Sequence, residues 1–327
     1  MRYVFGPLPS RRLGQSLGID PIPLKTCNWN CVYCQLGCTS PLVNNRCEYI
    51  SRTEILAEFR QALSEIPPGN IDWVTFVGSG EPTLHSRLGW LIREVKSLTD
   101  LPVAVITNGS LCDLPEVRWA LSAADAVLPS LDAGSTRLYR KINRPRPELS
   151  LSSLVNGLAD LRQEYSGKLW IEVMLVRGLN DTEAALGEIA AVLDVIQPDQ
   201  VHLNYPLRPP AEDWVQPADS EGMARAARII GSRAQIVPGG KAIINLPVGG
   251  DLVDALVAAI ARHPLGEQDV EYTLNQRTPG KAQETMKKLL GSGRVQVVER
   301  YGCRFWCVAS ANYTQGSLQV RKSKINK

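Results

Sequence analysis

Three cysteines near the start of the chain have a spacing suited to metal chemistry. Cys27, Cys31 and Cys34 follow one another as C-x3-C-x2-C. A loop of this kind can hold an iron–sulfur cubane by three thiolates and leave the fourth iron without a protein ligand, unlike the four-cysteine ferredoxin pattern. Zinc is an alternative, because a three-thiolate site with an open position also suits it, and three buried thiols without metal are another. We expect a cluster whose open iron can bind a substrate or cofactor.

Four further cysteines could hold a second metal. Cys38 and Cys47 follow the triad, and Cys303 and Cys307 have a C-x3-C spacing near the C-terminus. Together they could supply thiolates to an auxiliary cluster or a zinc ion and so tie the C-terminal domain to the rest of the chain. Alternatively they are isolated thiols with small hydrophobic roles, as we expect for Cys112.

The elements that must position these residues alternate regularly. From about residue 16 to 240, short β-branched runs alternate with amphipathic stretches, which is typical of βα units in a parallel sheet. The predicted strands are Ser16 to Ile22, Trp73 to Val77, Val103 to Thr107, Ala126 to Leu128, Leu169 to Met174 and Val201 to Leu203. The predicted helices are Glu54 to Ile66 after a Ser51-x-x-Glu54 capping box, Arg87 to Leu98, Pro115 to Ala123, Leu151 to Tyr165, Glu183 to Ile196 and Ser220 to Ser232.

Polar residues gather where the predicted strands end. Six βα units can form a doubly wound open sheet or an incomplete barrel, and either architecture places its active groups at the carboxyl ends of the strands. We therefore expect the active site at that edge. The polar residues there are Gly78, Ser79, Gly80 and Glu81 after the second strand, Asn108 after the third, Ser130 and Asp132 after the fourth, and Asn204 after the sixth.

The last quarter of the chain looks like a separate domain. Glycines and prolines in residues 238–250 predict a boundary. Three predicted helices and two β-like runs around a turn at Gly302 follow, an order typical of a winged helix-turn-helix. We expect domains at 1–240 and 241–311 and a mobile basic tail at 312–327. The predicted elements are Asp251 to Arg262, Glu267 to Thr273, Pro279 to Leu290, Val295 to Arg300 and Phe305 to Ala309.

Composition excludes several classes of protein. The 327 residues are 44% hydrophobic and 21% charged, which suits about two globular domains of ~150 residues each. No apolar run approaches the ~20 residues of a membrane span, and the start lacks the core of a signal peptide. We expect a cytoplasmic protein with no membrane contact and without disulfides. The net charge of +3 conceals a basic C-terminus, since residues 251–327 hold 12 Lys and Arg against 7 Asp and Glu.

The triad resembles the signature of the radical S-adenosylmethionine (SAM) superfamily, C-x3-C-x-aromatic-C, in the loop after the first strand of a partial (βα)6 barrel. The resemblance covers about residues 10–240. The motif Gly78-Ser79-Gly80-Glu81-Pro82 resembles the family's G-G-E motif, with Ser79 replacing the second glycine. The resemblance implies an α/β fold with a partial TIM-type barrel, a [4Fe-4S] cluster on the three cysteines, and SAM on the fourth iron.

The resemblance also implies roles for single residues. Tyr33 would lie near the adenine, and the glycine-rich motif would hydrogen-bond the methionine amino group. By analogy, Ser130 and Asp132 could hold the ribose or methionine end, and Met174 could pack against adenine. Asn108 joins this cofactor-binding set by its place after the third strand. Strand-end capping and core packing are the alternatives for Ser130, Asp132 and Met174.

The family's chemistry uses a reduced cluster to cleave SAM into a 5′-deoxyadenosyl radical, which removes hydrogen from an unactivated carbon. An electron donor such as flavodoxin or ferredoxin is implied. The protein would orient the substrate and exclude water and oxygen.

Basic residues point to an anionic substrate. Arg11 and Arg12 could clamp a carboxylate or phosphate, and Arg144 belongs to a second basic group; solvated surface charges are the alternative. The Pro-Ser-Arg-Arg-Leu-Gly start and the Cys-Val-Tyr-Cys-Gln-Leu-Gly run are similar to proteins classed near the wyosine-forming tRNA enzymes. Those enzymes place a second cluster on cysteines upstream of the triad, and this chain has none before Cys27. The second basic group is Arg137, Arg140, Lys141, Arg144 and Arg146.

Our leading hypothesis is a radical SAM enzyme acting on a nucleic acid or a nucleotide-like substrate. RNA or DNA would contact the C-terminal domain, where Arg277, Lys281, Lys287 and Lys288 have roughly helical spacing. One alternative is the same chemistry on a peptide or small metabolite. The other is an iron–sulfur transcription regulator without catalysis, which leaves the Gly78 to Glu81 motif unexplained.

Overall fold

The computed structural model describes residues 2–239 and 251–314. The larger unit is an eight-stranded sheet in chain order, antiparallel in its first pair and parallel in every later one. Since β1 and β8 do not pair, the sheet stays open, as an incomplete barrel requires. Its strands are β1 (Val4–Ser10), β2 (Gly14–Ile19), β3 (Trp73–Phe76), β4 (Val103–Thr107), β5 (Ala126–Pro129), β6 (Lys168–Met174), β7 (Gln200–Asn204) and β8 (Ala234–Ile236).

Helices connect the parallel strands, as each parallel crossover demands. One face of the sheet packs against them in the main apolar core, where Val74, Phe76 and Val105 meet helix residues such as Leu91 and Ile92. The helices described are α1 (Arg52–Glu65), α2 (Leu88–Leu98), α3 (Pro115–Leu121), α4 (Thr136–Ile142), α5 (Leu151–Glu164), α6 (Glu183–Ile196) and α7 (Ser220–Ile230).

A smaller apolar cluster lies on the opposite face of the sheet. Leu13, in the turn between β1 and β2, packs there with Ala104, Ala126 and Leu128. These strand residues alternate with main-core residues, so they point to the inside of the curved sheet. The hairpin turn therefore fills the inside near the amino ends of the strands and leaves the carboxyl ends free for the cysteine loop.

The predicted order of six strands and six helices is confirmed, with bounds that differ by a few residues. Three elements of this unit escaped prediction: β1, α4 and β8. Pro7 and Pro9 make β1 look like a loop, and prolines are tolerated there because β1 is an edge strand. The seven residues of α4 and the three of β8 are too short to show periodicity.

The predicted capping box at Ser51 does not form. The Ser51 hydroxyl shares a 2.8 Å hydrogen bond with the Thr53 hydroxyl and caps no backbone N–H. Glu54, which should complete the box, instead accepts a hydrogen bond from the Tyr3 phenol at 3.2 Å. A contact with the distant residue before β1 has replaced the local one.

Residues 251–314 form a small helical unit with its own antiparallel sheet of order β10-β11-β9. Its core includes Leu256, Leu274, Leu289 and Trp306. The three predicted helices and the hairpin are present, and β9 was not predicted. Resemblance to a winged helix stays a prediction. The elements are α8 (Leu252–Arg262), β9 (Leu265–Gly266), α9 (Glu267–Arg277), α10 (Ala282–Gly291), β10 (Val295–Arg300) and β11 (Cys303–Val308).

The domain boundary predicted at residues 238–250 and the tail predicted at residues 312–327 lie mostly outside the described residues. The described ranges end at residue 239 and at residue 314. Where the tail was expected to begin, residues 312–314 are packed instead. The Cys38 amide donates to the Asn312 carbonyl at 2.6 Å, and the Thr314 amide donates to the Ala211 carbonyl at 2.9 Å. Among the described helices, none is long and apolar enough to cross a membrane.

Candidate active site

The cysteine loop, residues 20–51, follows the carboxyl end of β2 and is held from two sides. On one side the Lys25 amide donates to the Ser79 carbonyl at 2.7 Å, and the Glu81 amide donates to the Thr26 carbonyl at 2.9 Å. On the other, the Val32 amide donates to the Ile142 carbonyl at 2.9 Å. The segment after β3 and the last residue of α4 therefore hold in place a loop that has no regular structure of its own.

Each sulfur of the triad receives an N–H donor from a different part of the fold. The Lys25 ammonium lies 3.2 Å from the Cys34 sulfur. The side-chain amides of Asn143 and Asn108 donate to the Cys31 and Cys27 sulfurs at 3.7 and 3.8 Å. Such donors stabilise electron-rich sulfur. Sequence reasoning missed Lys25 and Asn143; Lys25 lies two residues before the triad, whereas nothing local marks Asn143.

Burial makes the first two thiols of the triad weak acids. It raises the pKa of Cys27 to about 12 and holds the pKa of Cys31 well above its ordinary value. The carboxylates of Glu81 and Asp132 add to these increases at Cys27 and Cys31 respectively, as do neighbouring thiols of the triad. Metal binding would therefore displace protons from these sulfurs.

The donor set fits a cubane better than a single ion. No three His, Cys, Asp or Glu side chains within residues 2–239 and 251–314 converge closely enough to hold one metal ion. A tetrahedral zinc site needs its ligands around one centre at about 2.3 Å, whereas each thiolate of a cubane binds a different iron. Three half-buried sulfurs in one loop, each able to bind a different iron, suit the cubane.

The four cysteines proposed for an auxiliary site do not come together. Cys303 is exposed and Cys307 is buried on the same strand, β11. Four residues of extended chain span roughly 13 Å, too far for two ligands of one ion. The Cys47 backbone amide donates a hydrogen bond to the Leu84 carbonyl, in the segment after β3. The Cys38 backbone amide donates to the Asn312 carbonyl. The four thiols therefore do not form one site in the described structure.

The glycine-rich motif supports the cysteine loop by close packing. A Cβ on Gly80 would lie 2.0 Å from the Thr26 carbonyl oxygen, so only glycine fits there. Glu81 is 1% exposed, and its carboxylate accepts hydrogen bonds from the Thr107 hydroxyl at 2.6 Å and the Asn108 amide at 2.7 Å. Glu81 thus joins the ends of β3 and β4. Contact of the glycine-rich motif with the methionine amino group of SAM stays a prediction.

Two predicted cofactor residues, Tyr33 and Met174, meet at the carboxylate of a third, Asp132. Asp132 accepts hydrogen bonds from the Tyr33 phenol at 2.5 Å, the Asn143 side chain at 2.6 Å and the Met174 amide at 2.8 Å. Burial raises the pKa of Asp132 despite these donors. Ser130 pairs through its backbone with Glu172 nearby. Asp132 therefore links Tyr33 and Met174, which were predicted to lie near the adenine, to Asn143. Asn143 is the residue that donates to the Cys31 sulfur.

The predicted arginine clamp does not assemble. Arg12 enters the inside of the sheet and contacts the Glu172 carboxylate, while Arg11 is exposed and reaches the Pro238 carbonyl at 3.4 Å. Arg144 is paired with the Glu212 carboxylate. The backbone of Arg11 and Arg12 lies before β2, at the amino ends of the strands, and the Arg12 side chain extends from there to Glu172.

The C-terminal unit contacts the residue that follows the triad. The Gln35 side chain lies 3.2 Å from His263 Nδ1 and accepts a hydrogen bond from Arg208 at 2.9 Å. The Tyr313 phenol donates to the Gln35 carbonyl at 2.5 Å. These partners are up to 278 residues apart in the chain, so no local pattern could predict them.

The same unit also reaches the glycine-rich motif through one carboxylate. Asp20 accepts a hydrogen bond from the Ser79 hydroxyl at 2.6 Å and lies 3.4 Å from the Arg262 guanidinium. Ser79, which departs from the expected glycine, thereby links the motif to α8.

Comparison with known proteins gives a consistent result. The family model described as the Radical SAM superfamily matches residues 22–187, about half of the chain. A UPF0026 protein of Methanocaldococcus jannaschii is 33% identical over 312 residues, which cover 94% of this chain and 96% of that protein. A protein named GTPase Obg from Brachyspira hyodysenteriae is 37% identical over 302 residues, which cover 90% of this chain but 43% of that protein.

Among solved structures, TYW1 with a lysine-pyruvate adduct bound is similar with a TM-score of 0.51 and 20% identity. The match covers 66% of this chain and 72% of that one. At this identity the likeness concerns the fold alone.

Proposed function

The chain belongs to the radical SAM superfamily, together with the UPF0026 proteins, and from this premise we propose a nucleic-acid or nucleotide-like substrate for its radical chemistry. Cys27, Cys31 and Cys34 would hold the [4Fe-4S] cluster that the family implies, and SAM would bind its open iron. Because the chain belongs to an enzyme superfamily, we no longer retain the alternative hypothesis of a transcription regulator without catalysis.

The observation that carries the cluster assignment is the set of three half-buried sulfurs with three separate N–H donors. When bound, the cluster and SAM supply a 5′-deoxyadenosyl radical for hydrogen abstraction. Hydrogen bonds to cluster sulfurs and exclusion of solvent set the reduction potential. Lys25, Asn108 and Asn143 would supply those hydrogen bonds.

The chain's other residues would orient the cofactor and shield it. Asp132 fixes the Tyr33 ring and the Met174 backbone on one side of the loop. Tyr313 covers the loop near Gln35 on another side. Both contacts favour a dry, rigid pocket, which radical chemistry needs to prevent side reactions.

The C-terminal unit supports the proposed nucleic-acid contact through a small basic surface on α10. Lys281 and Lys287 are exposed there, whereas Lys288 is paired with Glu284 at 2.8 Å. Phosphate would be attracted to these exposed cations, and binding would weaken as salt rises. The predicted winged-helix arrangement also favours this substrate class over a peptide or small metabolite.

Anaerobic reconstitution tests the assignment. We expect about four irons per chain and release of 5′-deoxyadenosine on addition of dithionite and SAM. Cys31→Ala should lose the brown colour and the cleavage. Cys112→Ala, a buried thiol outside the triad, should keep both.

Substrate class is tested by deuterium transfer into 5′-deoxyadenosine. Deuterated bulk RNA should label the product, and a Lys281→Gln, Lys287→Gln variant should lower that labelling. Labelling from deuterated peptides or metabolites alone would contradict the proposed substrate class while leaving the radical chemistry intact.

A further inference from the structure

Helix α4 presents an exposed basic face beside the cysteine loop. Arg137, Arg140 and Lys141 are exposed, whereas Leu138 and Tyr139 of the same helix are buried. None of the three cations forms an ion pair with another residue in the described part of the chain. We call these three residues the α4 basic face.

The neighbouring cations differ, because they are already neutralised. Arg144 is paired with Glu212, and Arg146 with Glu148 at 2.5 Å. Of the second basic group in the sequence, only the α4 basic face keeps its charge available for a partner.

The chain leads directly from this face to a proposed cluster ligand. Lys141 is followed by Ile142, whose carbonyl accepts from the Val32 amide, and by Asn143, whose side chain donates to the Cys31 sulfur at 3.7 Å. Only Ile142 lies between Lys141 and Asn143. A single residue therefore separates the α4 basic face from the side chain that donates a hydrogen bond to the Cys31 sulfur.

Packing makes this connection rigid. The Tyr139 ring, on the buried side of α4, meets the Trp29 ring of the cysteine loop edge to face at 5.4 Å. Trp29 is 2% exposed, and its amide donates to the Cys27 sulfur at 3.4 Å. A partner seated on α4 would therefore lie over the loop that surrounds the cluster.

Resting on the proposed function, we propose that the α4 basic face docks an acidic one-electron carrier protein that reduces the cluster. Three uncompensated positive charges would steer an acidic partner into a small, transient interface. With the cluster bound to Cys27, Cys31 and Cys34, one electron would pass from the reduced carrier, which would be oxidised, to the oxidised cluster, which would be reduced. No covalent bond forms or breaks.

The test compares charge variants of the α4 basic face in the reconstituted protein. The probe is an acidic flavodoxin, and the measurements are its binding by fluorescence anisotropy and the bleaching of cluster absorbance by its photoreduced form. For Arg137→Glu, Arg140→Glu, Lys141→Glu at about 10 mM salt we expect binding and bleaching to weaken at least ~10-fold. The difference should shrink near 1 M salt, where the screening length is about 3 Å.

Three controls separate docking from folding and from chemistry. Arg60→Glu reverses an exposed cation on α1 and should leave flavodoxin binding unchanged. The glutamine triple variant at the same three positions should show a smaller loss, because it removes charge without adding repulsion. Dithionite, a small reductant that needs no docking surface, should bleach all variants equally.

Each remaining outcome is decisive. Unchanged flavodoxin binding and bleaching in the glutamate triple variant would overturn the proposal. So would an unchanged flavodoxin response with weakened binding of bulk RNA, because α4 would then be a nucleic-acid surface. Failure of dithionite and SAM to give cleavage in the unmodified protein would instead refute the proposed function beneath it.

Discussion

Two pairs of cysteines have the same spacing in the sequence, but only one pair lies in the candidate metal site. Cys27 and Cys31, like Cys303 and Cys307, are separated by three residues. The first pair lies in an irregular loop, where the Cys27 and Cys34 thiols both raise the pKa of Cys31. The second lies along β11, where extended backbone separates the two thiols by roughly 13 Å. Sequence spacing therefore makes a metal site only where the backbone turns and other elements hold the turn.

Removing a thiol from each group gives the largest expected contrast. Cys34→Ala should reduce iron retention to background, because two thiolates cannot hold the cubane. Cys303→Ala should keep full iron and cleavage. Iron analysis with visible absorbance measures both, and loss of iron in Cys303→Ala would show that the C-terminal cysteines also bind metal.

Disturbing the turn rather than the sulfurs should have a smaller but clear effect. Gly80→Ala would force a Cβ against the Thr26 carbonyl and push the cysteine loop outward. We expect a loss of about 1–3 kcal/mol of folding free energy and faster iron loss. Gly187→Ala is the matched control, since its Cβ would meet open space on α6. Equal behaviour of the two variants in thermal unfolding would contradict this explanation.

Acid should weaken the contact between the C-terminal unit and the loop. Burial lowers the pKa of His263 to about 3, with Arg208 and Arg262 contributing. The unfolded chain therefore takes up the proton first, so stability present above pH ~6.5 is lost as pH falls toward 3. By pH ~5 the loss should be roughly 1–2 kcal/mol.

Denaturant unfolding at pH 7 and 5 measures that loss. His263→Gln should show a smaller change between the two pH values than the unmodified protein, because glutamine does not titrate. An identical pH dependence would mean that carboxylates elsewhere cause the acid sensitivity.

The smallest expected effect comes from one sulfur's donor. Asn143→Ala removes hydrogen bonds to Cys31 and Asp132 and should cost about 1 kcal/mol of stability. It should also lower the cluster's reduction potential, because the sulfur loses a donor. Asn275→Ala, exposed on α9, should change neither quantity. A redox titration that finds equal potentials would assign Asn143 a structural role only.

Much of the fold could be predicted from periodicity. The bounds of β4 and α6 agree with their patterns because both are regular and well delimited. Prediction failed at β1, where prolines in an edge strand look like a loop, and at α4, which is too short for periodicity. The α4 failure mattered most, because that helix ends next to Asn143 and carries the exposed α4 basic face.

By itself the sequence determined the thiol triad, the glycine-rich motif and the alternation of strands and helices. These depend on spacings of a few residues, so they can be read locally. Only the tertiary structure decided which cysteines stay apart, which cations stay free, and which side chains donate to sulfur. Those facts depend on contacts between residues far apart in the chain, such as Asn143 and Cys31, which are 112 positions apart, and packing rather than local pattern sets them.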